Sequence, residues 1–116
     1  MPSKSFPVSR RVRRRRDFLA IYAGGEKFHS RHFLLFFLHE SGAPQRVGLA
    51  VSRKVGNAVA RNRVKRLLRE FFRTMKSSLP GWQIVAVAKP GAADLDLALV
   101  SAQLDPVLRK FVERRG

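Results

Sequence analysis

The sequence predicts an α+β domain in which helices pack on a small mixed sheet, and three observations predict it. The apolar pattern changes period along the chain. It is continuous or alternating at 28–39, 46–54 and 84–88, and helical at 14–23 and from Ala58 onward. Turn residues separate these segments: Gly24-Gly25, the run from Glu40 to Pro44, Pro80-Gly81 and Lys89-Pro90-Gly91. With 116 residues, 45% of them apolar, the chain suits one domain with a real core.

Taken in order, residues 1–12 hold Pro2, Pro7 and several cations, and read as a flexible basic arm before a single domain over 13–116. A short helix is expected from Arg14 to Ala23, where Phe18, Ile21 and Tyr22 recur at helical spacing. Phe28 to His39 reads as one strand, apolar enough at its centre to be covered on both faces. The turn after it makes an antiparallel return the economical expectation for the next strand, Arg46 to Lys54. There Val47, Leu49 and Val51 point one way and the small residues Gly48, Ala50 and Ser52 the other. Small residues leave room either for close helix packing or for a shallow groove.

Asn57 is a suitable N-cap for a helix starting at Ala58. Ala60, Val64, Leu67, Leu68, Phe71, Phe72 and Met75 fill one face of that helix. A short strand follows at 84–88, then a helical region that Asp105-Pro106 should interrupt as N-cap and first residue of a last segment. The expected order is α-β-β-α-β-α.

Charge then narrows the function. Lys and Arg number 24 against 8 Asp and Glu, a net charge of +16 that favours polyphosphate partners. Residues 1–16 carry seven cations and no acid, and residues 53–76 carry nine cations with Glu70 as the one acid. Binding is therefore expected on two surfaces. The longest apolar run, Phe33 to Leu38, is far too short to span a bilayer, and no signal peptide is visible at the start. There is no cysteine, which excludes disulfides, thiolate metal sites and a cysteine nucleophile. His29, His32 and His39 do not converge on one ion at their spacing along a strand. Asp94 and Asp96 read as residues at a helix start, and no acid, base and nucleophile set stands out.

On the helix wheel Asn62, Lys65, Arg66, Arg69 and Arg73 cluster opposite the apolar stripe. Lys65–Arg69 and Arg69–Arg73 are like charges one turn apart, each costing a few tenths of a kcal/mol, about 0.2–0.5, in a free helix. A merely solvated face mixes signs and avoids that cost. A phosphate-binding face accepts it, because guanidinium forks donate two hydrogen bonds to one phosphate.

The run from Val47 to Arg66, with Arg61-Asn62-Arg63 at its centre and Arg69 beyond, resembles the signature of the bacterial ribonuclease P protein family. The basic start and the Asp17-Phe18 helix fit the same pattern, and the carboxy-terminal third fits least. Arg53 stands where a lysine is more usual, keeping the charge and changing the donor geometry. The resemblance implies a ribosomal-protein-like fold with a left-handed βαβ crossover. It also implies a chain without a catalytic centre, acting beside an RNA subunit that holds Mg2+ and removes the 5′ leader of precursor tRNA in the cytoplasm. By the same resemblance Arg61, Asn62, Arg63, Lys65, Arg66, Arg69 and Arg73 face the RNA subunit, and Phe18, Tyr22, Phe36, Ser52, Arg53 and Lys54 meet the leader. Aromatic faces beside cations suit single-stranded RNA, where bases stack and phosphates pair. From the sequence alone, Phe18 and Tyr22 at i, i+4 and Phe36 in its apolar strand read as core residues, and only the resemblance raises them above that reading. The competing reading is a small structural ribosomal protein, which composition alone does not separate from this one.

Overall fold

Alternating side chains give the central sheet two apolar faces, and helices cover both. A computed structural model describes residues 11–75 and 79–115. In chain order it contains α1 (Arg15–Gly24), β1 (Glu26–His29), β2 (Phe33–His39), β3 (Arg46–Ala50), α2 (Ala58–Arg73), β4 (Trp82–Ala88), a 3-10 turn (Ala92–Asp94) and α3 (Leu97–Arg115). The sheet order is β1-β2-β4-β3, with β2 antiparallel to β1 and β4, and β3 parallel to β4.

On one face Phe33, Leu35 and Phe37 of β2 join Val47 of β3 and Ile84, Ala86 and Ala88 of β4. Val64, Leu68, Phe71 and Phe72 of α2 close over them, with Val100, Leu104, Leu108 and Phe111 of α3. The rings of Phe37 and Phe111 stack at 4.0 Å, and Phe28 meets both edge-on. On the other face Phe36 and Val85 pack under Ile21 of α1 and under Val12. The parity read from β3 holds: Val47 points to the large core and Gly48 to α1.

Four expectations change. The stretch 28–39 is two strands, so the order is α-β-β-β-α-β-α. The chain reverses at Ser30, whose N–H donates to the Phe33 carbonyl at 2.8 Å. The Gln103 Oε1 of α3 fixes that reversal by accepting from the His32 N–H at 2.9 Å and the Ser30 hydroxyl at 3.2 Å. Secondly, β3 does not pair with β2. It stops at Ala50, and β4 lies between the two. Ile84, Val85 and Ala86 are wholly buried, which suits a central strand and not an edge.

Thirdly, α3 runs unbroken through Pro106, where a fresh helix start was expected. Val100, Leu104, Val107, Leu108 and Phe111 are buried along one stripe on both sides of the proline. Packing of that stripe outweighs a proline penalty of about 3 kcal/mol. Pro106 and Ala102, whose carbonyl loses its partner, are both exposed, so water can serve that carbonyl. Fourthly, the end of the expected arm is docked: the Val12 N–H donates to the Val47 carbonyl at 3.0 Å and its side chain is buried. Residues 1–10 of the arm lie outside the described residues.

Candidate nucleic-acid interface

Asn57 sets the register of α2 by accepting from the Ala60 N–H at 2.9 Å through its side-chain oxygen. Just before it, Gly56 has φ 152°, and a Cβ there would lie 2.8 Å from the Ala60 Cβ. No other residue fits this entry to the helix without displacement. The buried stripe of α2 then turns Asn62, Arg66 and Arg73 outward and leaves Arg61, Lys65 and Arg69 half-buried along one flank.

The cations differ in what they already hold. Arg61 donates from Nη1 to the Gly56 carbonyl at 2.8 Å, bracing the helix start. Arg63 points to the opposite flank, where Nε donates to the Ala93 carbonyl at 3.1 Å and Nη2 to the Leu95 carbonyl at 2.7 Å. It ties α2 to the connection between β4 and α3. Arg73 is paired with Glu70, the acid expected to offset this face. Lys65 and Arg69 line a cavity of about 200 Å³ together with Arg11, Val12, Arg13, Val47 and Leu49. The docked amino-terminal segment thus adds Arg11 and Arg13 to the basic flank of α2. The charge count signalled both surfaces; that they meet follows only from the Val12–Val47 pairing.

The second surface is aromatic. Phe18, Tyr22 and Phe36 lie in sequence across the α1 side of the sheet, with ring centroids 6.3 Å apart for Phe18–Tyr22 and 4.9 Å for Tyr22–Phe36. An added Cβ at Gly48 would stand 3.0 Å from the Phe18 ring and 2.8 Å from the Val12 Cβ. Phe18 therefore sits on Gly48, which is not an open groove floor. The floor lies one row further along the sheet. Register places Leu34, Val87 and Ala50 side by side there, all half-exposed, beyond the rings that α1 contributes. Of the small residues expected to line it, Ala50 does. Leu34 and Val87 were missed, because their apolar neighbours made them read as ordinary core.

Phe36 is itself nearly buried, while Phe18 and Tyr22 are half-exposed. Burial pushes the Tyr22 phenol above its ordinary pKa, so it stays a neutral donor through the physiological range. Lys27, opposite Phe36 in the strand register, holds its ammonium 5.9 Å from that ring centroid. Ser52, Arg53 and Lys54 are exposed in the turn after β3, where the Ser52 Oγ accepts from the Lys54 N–H at 3.3 Å. They stand at the β3 end of the floor row. Two candidate surfaces thus share one body, a cationic one on α2 and an aromatic one on the α1 side of the sheet.

The family model described as Ribonuclease P matches residues 6–112. The chain belongs to the ribonuclease P protein family. It is 52% identical over 110 residues to the ribonuclease P protein component of Desulfovibrio desulfuricans, covering 90% of this chain and 85% of that one. The ribonuclease P protein component of a Geobacter species is 46% identical over 104 residues, with 90% of each chain covered. Among solved structures, the Staphylococcus aureus RNase P protein aligns with a TM-score of 0.79 at 33% identity, over 86% of this chain and 93% of that one. The Thermotoga maritima RNase P protein aligns with a TM-score of 0.76 at 31% identity, over 86% and 96%. These matches place the α+β fold among the ribonuclease P proteins, and set aside the structural ribosomal protein.

Among the described residues no three His, Cys, Asp or Glu side chains come together to hold an ion. The histidines go elsewhere: His32 Nδ1 pairs with Gln103 Nε2 at 2.8 Å, and His39 packs edge-on against Trp82. Asp96 accepts from the Leu99 N–H at 2.9 Å, capping α3 as a helix-start residue should. Asp94 closes the 3-10 turn before it. No described helix is long and apolar enough to cross a membrane.

Proposed function

We propose that this chain is the protein subunit of a ribonucleoprotein ribonuclease P, holding the catalytic RNA with α2 and the 5′ leader of precursor tRNA on the aromatic face. The observation that carries the proposal is the separation of the two surfaces on opposite sides of one sheet. One offers Lys65, Arg66, Arg69 and Asn62, with Arg11 and Arg13 alongside, to a phosphate-rich surface. The other offers rings and a shallow floor to an extended single strand. Arg61 and Arg63 act first as positioning residues, since their guanidinium groups already hold backbone carbonyls. Arg73 contributes what charge its pairing with Glu70 leaves.

In this reading Mg2+ and the hydrolytic step belong to the RNA subunit and substrate, in the cytoplasm. The chain binds, orients and neutralises. By drawing the leader and the RNA subunit onto one body, it raises precursor affinity and lowers the magnesium concentration needed for folding and cleavage. Reconstitution tests it. The protein added to its RNA subunit at low Mg2+ should restore cleavage of precursor tRNA at the mature 5′ end, and RNA-free protein should cleave nothing. Hydrolysis by the protein alone would overturn the assignment of chemistry to RNA.

A further inference from the structure

At the open edge of β1 a second cationic groove begins where the aromatic surface ends. It has a volume of about 430 Å³ and is lined by Lys27, Phe28 and His29 of β1 and by Gln103, Lys110 and Arg114 of α3, among others. None of these cations lies in the two charge-rich stretches of the sequence. The groove sits at the opposite edge of the sheet from β3 and the basic flank of α2.

Register connects it to the leader surface. Gly48, Val85, Phe36 and Lys27 form one row across the four strands, and Ala50, Val87, Leu34 and His29 form the next. The first row carries the aromatic wall and the second is the half-exposed floor. Both rows end on β1 at residues that line the edge groove, about 14 Å from β3 at the usual strand spacing. Charge continues around the edge. Lys27 lies over the Phe36 ring on the α1 side, and Arg114 lies over the Phe28 ring at 5.6 Å on the α3 side. Along α3 the side facing β1 carries cations without an acid, while the side facing α2 mixes Arg109 with acids. Asp105 and Glu113 line the cavity toward α2, whereas Lys110 and Arg114 face β1.

We infer that the edge groove takes the phosphates of the upstream, more 5′ part of the leader after it has crossed the sheet. This extends the proposed leader reading and rests on it. Nucleotides near the cleavage site meet Phe18, Tyr22 and the floor row. Those further upstream pass His29 and Lys27 and reach Lys110 and Arg114. Lys and Arg supply the attraction, and the Phe28 ring beneath Arg114 keeps that guanidinium flat and in place.

The test uses the reconstituted holoenzyme with Lys27→Gln, Lys110→Gln and Arg114→Gln combined. Its substrates are mature tRNA and precursors with leaders of about 4 and about 12 nucleotides, within the range that single-strand grooves occupy. The triple variant should bind the long-leader precursor about tenfold more weakly, as three exposed ion pairs imply. The slope of log K against log salt should fall by about 2 for that substrate, at about 0.7 per lost contact. Mature tRNA should be unaffected, and the short-leader precursor should lose only the Lys27 share, less than half of the long-leader effect. Equal losses for all three RNAs would assign the groove to the tRNA body or the RNA subunit, and no loss for any would make it a solvated surface; either overturns the inference. Tyr22→Ala measured in parallel separates the two levels. If it weakens both precursors while the triple variant does nothing, the edge groove fails alone. If it spares both precursors, the leader reading itself has failed.

Discussion

Replacing Arg63 by alanine should destabilise the fold more than it weakens RNA binding. Its guanidinium donates to the carbonyls of Ala93 and Leu95 at 3.1 and 2.7 Å, across the join between α2 and the connection leading to α3. Hydrogen bonds from a charged donor contribute about 1.5–3 kcal/mol each when shielded. Both here are only partly buried, and water can replace the donor, so about 2 kcal/mol for the pair is the appropriate figure. At about 4 °C per kcal/mol for a domain near this size, the melting temperature should fall by about 8 °C. Arg63→Lys should recover less than half of that, since an ammonium on a flexible stem lacks the fork that spans both carbonyls. Well below the melting transition, Arg63→Ala should change the salt slope of RNA-subunit binding by much less than the 0.7–0.9 of a lost phosphate contact. Thermal melts and filter binding across a salt series measure both. An unchanged melting temperature with a full unit lost from the slope would refute this role and return Arg63 to the RNA-facing set.

Charge removal at Lys65, Arg66 and Arg69 should do the reverse, leaving the melting temperature in place while each lost contact lowers the salt slope by about 0.7–0.9. Tyr22→Ala should weaken holoenzyme binding to precursor tRNA by about five- to two-hundredfold, the equivalent of one stacked base, with mature tRNA nearly untouched. Tyr22→Phe keeps the ring and should behave as wild type, whereas a lowered melting temperature with equal losses for both RNAs would mark Tyr22 as core. Gly48→Ala should cost about 1–3 kcal/mol by crowding Phe18 and Val12, and circular dichroism melts would show it.

The long helix was legible almost residue for residue, because Asn57, the apolar stripe and the basic face all specify the same element. Strand parity was legible too: Gly48 and Val47 lie on the sides that alternation requires. Strand partners were not. Periodicity says which face a residue takes but not which strand lies beside it, and the insertion of β4 depends on a crossover of more than thirty residues. The break at Ser30 lies in the polar stretch His29-Ser30-Arg31-His32, which the apolar residues on either side bridged into one strand, and the residue that holds the reversal, Gln103, is seventy-three residues away. Pro106 misled for a related reason, its local penalty being outweighed by contacts made far along the chain. On the candidate surfaces, residue type identified the cations. It did not reveal that Arg63 spends its donors on backbone, or that Phe18 fills the space above Gly48.

The central position of β4 sets an order of events for the nascent chain. During synthesis β2 and β3 emerge early, yet neither can complete its pairing until residues 82–88 arrive and slot between them. Until then α2 has no finished sheet to cover, and a helix carrying like charges a turn apart is a poor candidate to persist unaided. Long-range pairing of this kind slows folding and leaves apolar edges open while it is incomplete. A polyanion that gathers the charges of α2 would relieve their repulsion at that stage and bind the helical form, with its cations on one face, more tightly than the open chain. RNA would then favour the folded chain by mass action, and melting temperatures measured with and without an RNA ligand would register it as an upward shift that grows with RNA concentration.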